Sequence, residues 1–157
     1  MKKTLLAILC CSAVLSSCTK ATENTCAPVD ITAPASEVAA LQSYINSKGI
    51  TAIADPHGFF YTISRQGSDV RPGTCSRVTA TYTLRLTNGT QVQAGNGVTF
   101  SLGRTIAGWQ EGMPLIGEGG MMTLYLPPSL AYGAAGSPPD IPGNSNLVFD
   151  IELLDVL

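Results

Sequence analysis

The sequence predicts an α+β fold: an antiparallel β-sheet of about five strands, one short α-helix among them, and an N-terminal helical extension. Three observations carry this. From Val78 to Leu86, Val78, Ala80, Tyr82, Leu84 and Leu86 alternate with Thr79, Thr81, Thr83 and Arg85, a period of two with one apolar face. Asn88-Gly89 follows at once, a strong hairpin signal that predicts a type I′ turn with φ > 0 at both residues. Finally, 16 glycines and 10 prolines among 157 residues favour turns and short strands over a helical bundle.

Length and composition bound the rest. The chain suffices for one domain, and only 13% of its residues are charged. A formal charge of −2 with no basic stripe argues against nucleic acid as a partner. His57 is the one histidine, too little for a His-rich metal site or a Ser-His-Asp hydrolase, so no metal site is expected.

Taken in order, residues 1–17 read as an export signal: Lys2 and Lys3, then an apolar run from Leu5 to Leu15 too short for a stable membrane anchor. The run closes on Leu15-Ser16-Ser17-Cys18, which resembles the lipobox of bacterial lipoproteins. The resemblance implies cleavage before Cys18, lipid attachment there and anchoring to a bacterial membrane. With Thr19 rather than Asp next, it implies the outer membrane in a Gram-negative producer. An ordinary signal peptide with a chance cysteine is the alternative. Without the leader, 7 basic residues face 11 acidic ones, a charge of −4. Cys26 and Cys75 remain as an even pair in an exported chain, and a disulfide between them would close a loop of about 50 residues, contributing about 3–4 kcal/mol in the chain-entropy model; two free thiols are the alternative.

Residues 18–35 read as a polar tether, and 36–67 as a helix-and-strand extension. Ser36 predicts a helix cap, with Val38, Leu41, Tyr44 and Ile45 at helical spacing and Gly49 as the stop. Asp55-Pro56-His57-Gly58 predicts a turn that leaves His57 solvated, and Phe59–Ile63 a strand. Beyond the Val78–Leu86 strand, others are predicted at Val98–Leu102, Met121–Leu126 and Leu147–Val156, with a short helix at most over Thr105–Gly112. Pro127 to Asn146 holds five prolines and three glycines yet keeps Tyr132 and Ile141, which marks it as a functional loop.

Four motifs then carry a resemblance over residues 68–157: Gly108-Trp109-Gln110-Glu111-Gly112, Leu130-Ala131-Tyr132-Gly133, Ile141-Pro142, and Leu147-Val148-Phe149-Asp150-Ile151-Glu152-Leu153. In this order and spacing the chain resembles the FKBP-type peptidyl-prolyl cis–trans isomerases. The resemblance implies a sheet curved around one short helix and catalysis without a cofactor, acting on X-Pro bonds of unfolded or exported polypeptides. It implies Tyr82, Trp109, Tyr132 and Phe149 as catalytic pocket residues, and Phe100, Thr105, Ile106 and Ile141 as substrate-binding ones. Without it, Tyr82, Phe100, Trp109 and Phe149 would read as plain core, Asp150 and Glu152 as a solvated strand face.

Departures from the family pattern matter too. Val92-Gln93 stands where the family has Phe-Asp, and Val98 where it often has Phe. A neutral Gln makes no charge-assisted hydrogen bonds of the carboxylate kind, which puts macrolide binding in more doubt than proline binding. It also leaves open a second class, a non-catalytic chaperone that grips Pro-containing segments in the same groove.

Overall fold

The computed structural model describes residues 29–157; the leader, Cys18 and Cys26 lie outside them. Six strands form one antiparallel sheet: β1 (Ile53–Ala54), β2 (Phe60–Arg65), β3 (Arg77–Leu86), β4 (Gln91–Ser101), β5 (Met121–Leu126) and β6 (Leu147–Val156), in the order β1-β2-β5-β6-β3-β4. Two helices accompany it, α1 (Ala35–Ser47) and α2 (Ala107–Gly112).

Strand alternation divides the sheet into two faces. Leu147, Phe149, Ile151 and Leu153 of β6 join Leu124 and Leu126 of β5, Leu84 of β3 and Trp109 of α2 in the main core. Phe60, Tyr125 and Val148 point the other way and bury Leu41 and Ile45 of α1. The extension therefore packs on the face opposite α2, and β2 within it pairs directly with β5, so the sheet reaches back past residue 68. Beyond α1 this outer face turns polar: Asp150 accepts from Thr83, from Thr123 at 2.8 Å and from Arg85, and Glu152 pairs with Arg65 at 2.7 Å.

Several boundaries differ from the sequence reading. Helix α1 starts two residues earlier than a Ser36 cap would place it, after Pro34, and no side chain caps it by a hydrogen bond. Its end is as expected: Gly49 has φ +63°, and Ile50 N–H donates to Ile45 O while Gly49 N–H donates to Asn46 O, a Schellman closure. The turn at Asn88-Gly89 joins β3 to β4, but only Gly89 has positive φ; Asn144 is the single non-glycine in that region among the described residues. Gly89 N–H donates to Leu86 O and Leu86 N–H to Thr90 O, a three-residue turn with a glycine bulge instead of type I′. Strand β4 runs seven residues further back than Val98, because backbone pairing with β3 holds the polar Gln91–Gly97 stretch at the sheet edge. The two-residue β1 is too short to leave a periodic signal, which is why the sequence predicts about five strands where the described residues hold six. Helix α2 begins at Ala107, after an extended Ile106 (ψ 151°). Cys75 is exposed in the turn before β3.

Candidate active site

The glycines of the Gly108–Gly112 motif set the position of α2. A Cβ on Gly108 would lie 2.5 Å from Leu126 Cδ2, and one on Gly112 2.7 Å from Leu124 Cδ1. Both leucines are fully buried, so the helix rests on β5 through bare backbone. That close approach presents Trp109, on the same helix, to the rings of the neighbouring strands.

The indole of Trp109 stands at the centre of an aromatic cluster. Its ring centroid is 5.2 Å from Tyr82 (planes at 88°), 5.2 Å from Phe100 and 5.4 Å from Phe149 (79°). The contacts with Tyr82 and Phe149 are edge to face, which suits the ring quadrupoles, and that with Phe100 is tilted at 56°. The cluster lines a pocket of about 280 Å³ together with Gln93, Arg104, Thr105, Ile106 and Tyr132. Seven of the eight sequence-predicted site residues thus border one cavity. The eighth, Ile141, is 5% exposed and lines an adjoining pocket instead.

Backbone geometry at the α2 entrance is held by side chains. Thr105 Oγ1 donates to Leu102 O at 2.7 Å, and Gln110 Nε2 donates to Thr105 O at 2.8 Å. Ile106 is left with an N–H that no protein acceptor takes among the described residues, while its carbonyl receives Trp109 and Gln110 N–H. An unclaimed N–H at a helix start beside an apolar pocket is a ready donor to a peptide carbonyl. The Tyr132 hydroxyl is the second donor at the pocket. Burial, with Tyr82 adding to it, raises its pKa above the usual tyrosine value, so it stays protonated at neutral pH.

The long loop that carries Tyr132 is packed on itself. Leu130 and Ile141 anchor it in the core, Ser137 and Ile141 pair through two backbone hydrogen bonds of 2.8 and 3.0 Å, and Asn144 N–H donates to Gly133 O. A Cβ at Gly143 would lie 2.1 Å from Ala134 O, so glycine is required where the two limbs touch.

Two lining residues escaped assignment as site residues. Arg104 ends a 3₁₀ turn over Leu102–Arg104 directly before Thr105, and its adjacency to Thr105-Ile106 was the only signal. Gln93 enters the sequence reading only as a departure from the family pattern, yet it lines both pockets. Val98 is 42% exposed and does not line the aromatic pocket. His57 and the Asp150–Glu152 pair lie away from it.

Comparison with known proteins gives a consistent picture. FkpA of Escherichia coli K12, an FKBP-type peptidyl-prolyl cis-trans isomerase, is 37% identical over 119 residues, covering 73% of this chain and 43% of FkpA. FkpA of Buchnera aphidicola (subspecies Baizongia pistaciae) is 40% identical over 103 residues, 63% of this chain and 41% of its own length. The chain thus spans about two-fifths of the length of these curated relatives. The crystal structure of E. coli FkpA superposes with a TM-score of 0.70 at 35% identity, covering 78% of this chain and 60% of that one. A peptidyl-prolyl cis-trans isomerase structure from Pseudomonas syringae gives 0.69 at 26% identity, covering 79% and 96%. The model of the FKBP-type peptidyl-prolyl cis-trans isomerase family matches residues 68–154, more than half of the sequence, and the chain belongs to that family.

Proposed function

We propose that the protein is a prolyl cis–trans isomerase that acts on X-Pro bonds of exported polypeptides while they fold. The observation that carries this reading is the Trp109-centred pocket with the unclaimed Ile106 N–H at its edge. Rotation about an X-Pro bond is opposed by amide resonance, with a barrier of about 18–20 kcal/mol. Resonance places negative charge on the amide oxygen, and water hydrogen-bonded to that oxygen favours the planar form. Seating the proline among Tyr82, Phe100, Trp109 and Phe149 removes that water, so the planar amide loses more stabilisation than the twisted one. The Ile106 N–H and the Tyr132 hydroxyl hold flanking carbonyls while the C–N bond turns. No bond forms or breaks, and no proton moves.

The test is the cis-to-trans rate of an X-Pro peptide with the purified protein, beside Trp109→Phe and Tyr132→Phe. Acceleration by the wild type that both variants weaken is expected. A folded protein without acceleration would sink the isomerase reading. Gln93, neutral at the pocket edge where the family pattern has an aspartate, favours a second reading: a non-catalytic chaperone that grips Pro-containing segments. Proline-peptide binding without acceleration would mark that outcome.

Export and lipid anchoring belong to the same reading. Lys2, Lys3, the apolar run to Leu15 and Leu15-Ser16-Ser17-Cys18 support cleavage before Cys18 and lipid attachment there. The mass of the mature N-terminal peptide tests this, and a chain with unmodified Cys18 in the producing cell would refute it.

A further inference from the structure

A second pocket of about 260 Å³ adjoins the aromatic one. Val92 and Gln93 of β4 form one side, and Ser137, Asp140 and Ile141 of the long loop the other. Gln93 and Tyr132 border both pockets. A polypeptide with its proline among the aromatic rings therefore has an immediate route for a neighbouring residue past these shared walls.

The chemistry of the second pocket is set by one group. Among the described residues, Asp140 is its only charged lining residue, and no cation pairs with it there. Arg104 lines the proline pocket but not this one. The backbone beneath Asp140 is fixed: Pro138, Pro139 and Asp140 form the tip between Ser137 and Ile141, which exchange two hydrogen bonds, and Ile141 is buried. Gly136 allows the return limb to pass, since a Cβ there would lie 2.3 Å from Ile141 O. The carboxylate is thus displayed at a defined place beside the substrate groove with little ordering left to do on binding.

We propose that Asp140 makes this pocket the subsite for a residue next to the substrate proline and selects lysine or arginine there over acidic residues. The inference rests on the prolyl-peptide reading of the aromatic pocket and adds a substrate preference to it. Because Asp140 is exposed to solvent, the attraction is screened and modest, and the Lys-to-Glu discrimination is about threefold to tenfold at low salt.

The test uses the purified protein and short peptides carrying Lys, Leu or Glu on either side of proline. Both kcat/KM for isomerisation and affinity, read from the fluorescence of Trp109, the only tryptophan in the chain, are measured. The expected result is a Lys-to-Glu ratio above one at one of the two positions. It should fall towards one in Asp140→Asn, invert in Asp140→Lys, and shrink at about 1 M salt, where the screening length is about 3 Å. Each ratio is taken within one variant, so a general loss of stability cancels. A wild-type ratio equal to that of Asp140→Asn, or one indifferent to salt, overturns the proposal. Selective binding without acceleration leaves the subsite standing and removes the isomerase reading, whereas neither binding nor acceleration removes both.

Discussion

Trp109 meets Tyr82 edge to face, with centroids 5.2 Å apart and planes at 88°, across the junction between α2 and the sheet. The same indole touches Phe100 and Phe149, so one side chain both fills the core and forms the pocket. Truncation to alanine would leave a large cavity and lower stability by about 3–5 kcal/mol. Phenylalanine is the cleaner probe. Trp109 Nε1 is buried without a hydrogen-bond partner among the described residues, so Trp109→Phe loses no hydrogen bond within them. Its urea midpoint should fall far less than that of Trp109→Ala, while its isomerisation rate drops at least several-fold. Equal losses of stability in the two variants would contradict this.

Gly108 is one of the two glycines through which α2 touches β5. Gly108→Ala would drive a methyl group into Leu126 and lift the helix end that carries Ile106 and Trp109. Overpacking of this kind lowers stability by about 1–3 kcal/mol. Thermal unfolding gives the magnitude, and the near-UV circular dichroism of Trp109 should change with it. Gly49→Ala, with open space around its Cβ but φ +63°, should destabilise by about 1 kcal/mol through backbone strain alone and leave the tryptophan signal intact.

Tyr132 has its pKa raised by burial, which keeps the hydroxyl a donor throughout the neutral range. Isomerisation should therefore show no bell-shaped pH profile between about pH 6 and 9, in contrast to acid–base catalysis with groups that titrate there. Tyr132→Phe should lower the rate by roughly the worth of one hydrogen bond, about 1 kcal/mol or fivefold, without introducing a pH dependence. A wild-type profile with two limbs in that range would refute the mechanism.

His57 links the extension to α2. Its Nδ1 lies 2.8 Å from Asp55 Oδ1 and 4.0 Å from Glu111 Oε2, and its Nε2 lies 3.9 Å from Asp30 Oδ1. The Asp55 hydrogen bond chiefly raises the histidine pKa above 6.5, against a smaller opposing effect of burial and with help from the charges of Glu111, Asp55 and Asp30. The folded state therefore holds the proton more tightly than the unfolded chain. This stabilisation is fully present below pH 6.5 and is lost as pH rises through the higher folded value. Urea unfolding at about pH 5.5 and about pH 8.5 should show His57→Gln destabilised relative to wild type at the lower pH and nearly equal to it at the higher. With the ring partly open to solvent, the difference should stay under about 1 kcal/mol.

What the sequence determined by itself was everything encoded in local pattern. The alternation in Val78–Leu86 yields β3, because a period of two has only one way to bury its apolar set, and the apolar run opening Leu147–Val156 yields β6, buried on both faces at Val148 and Phe149. Gly49 stops α1 because the chain there needs positive φ. The ordered motifs around Trp109, Tyr132 and Phe149 point to one pocket only through their resemblance to a known family; by pattern alone Trp109 and Phe149 read as core. Tertiary structure decided the remainder. Gln91–Gly97 is polar and carries two glycines, and it is a strand only because β3 offers its backbone hydrogen bonds, a demand that leaves no trace in side chains. The turn at Asn88-Gly89 became a three-residue bulge because register between β3 and β4, not the dipeptide, fixes where the chain reverses. Arg104, Gln93 and Asp140 came to border the groove from three separate segments. A residue's place beside a cavity depends on which distant elements pack together, and the spacing of residues along a chain carries no record of that.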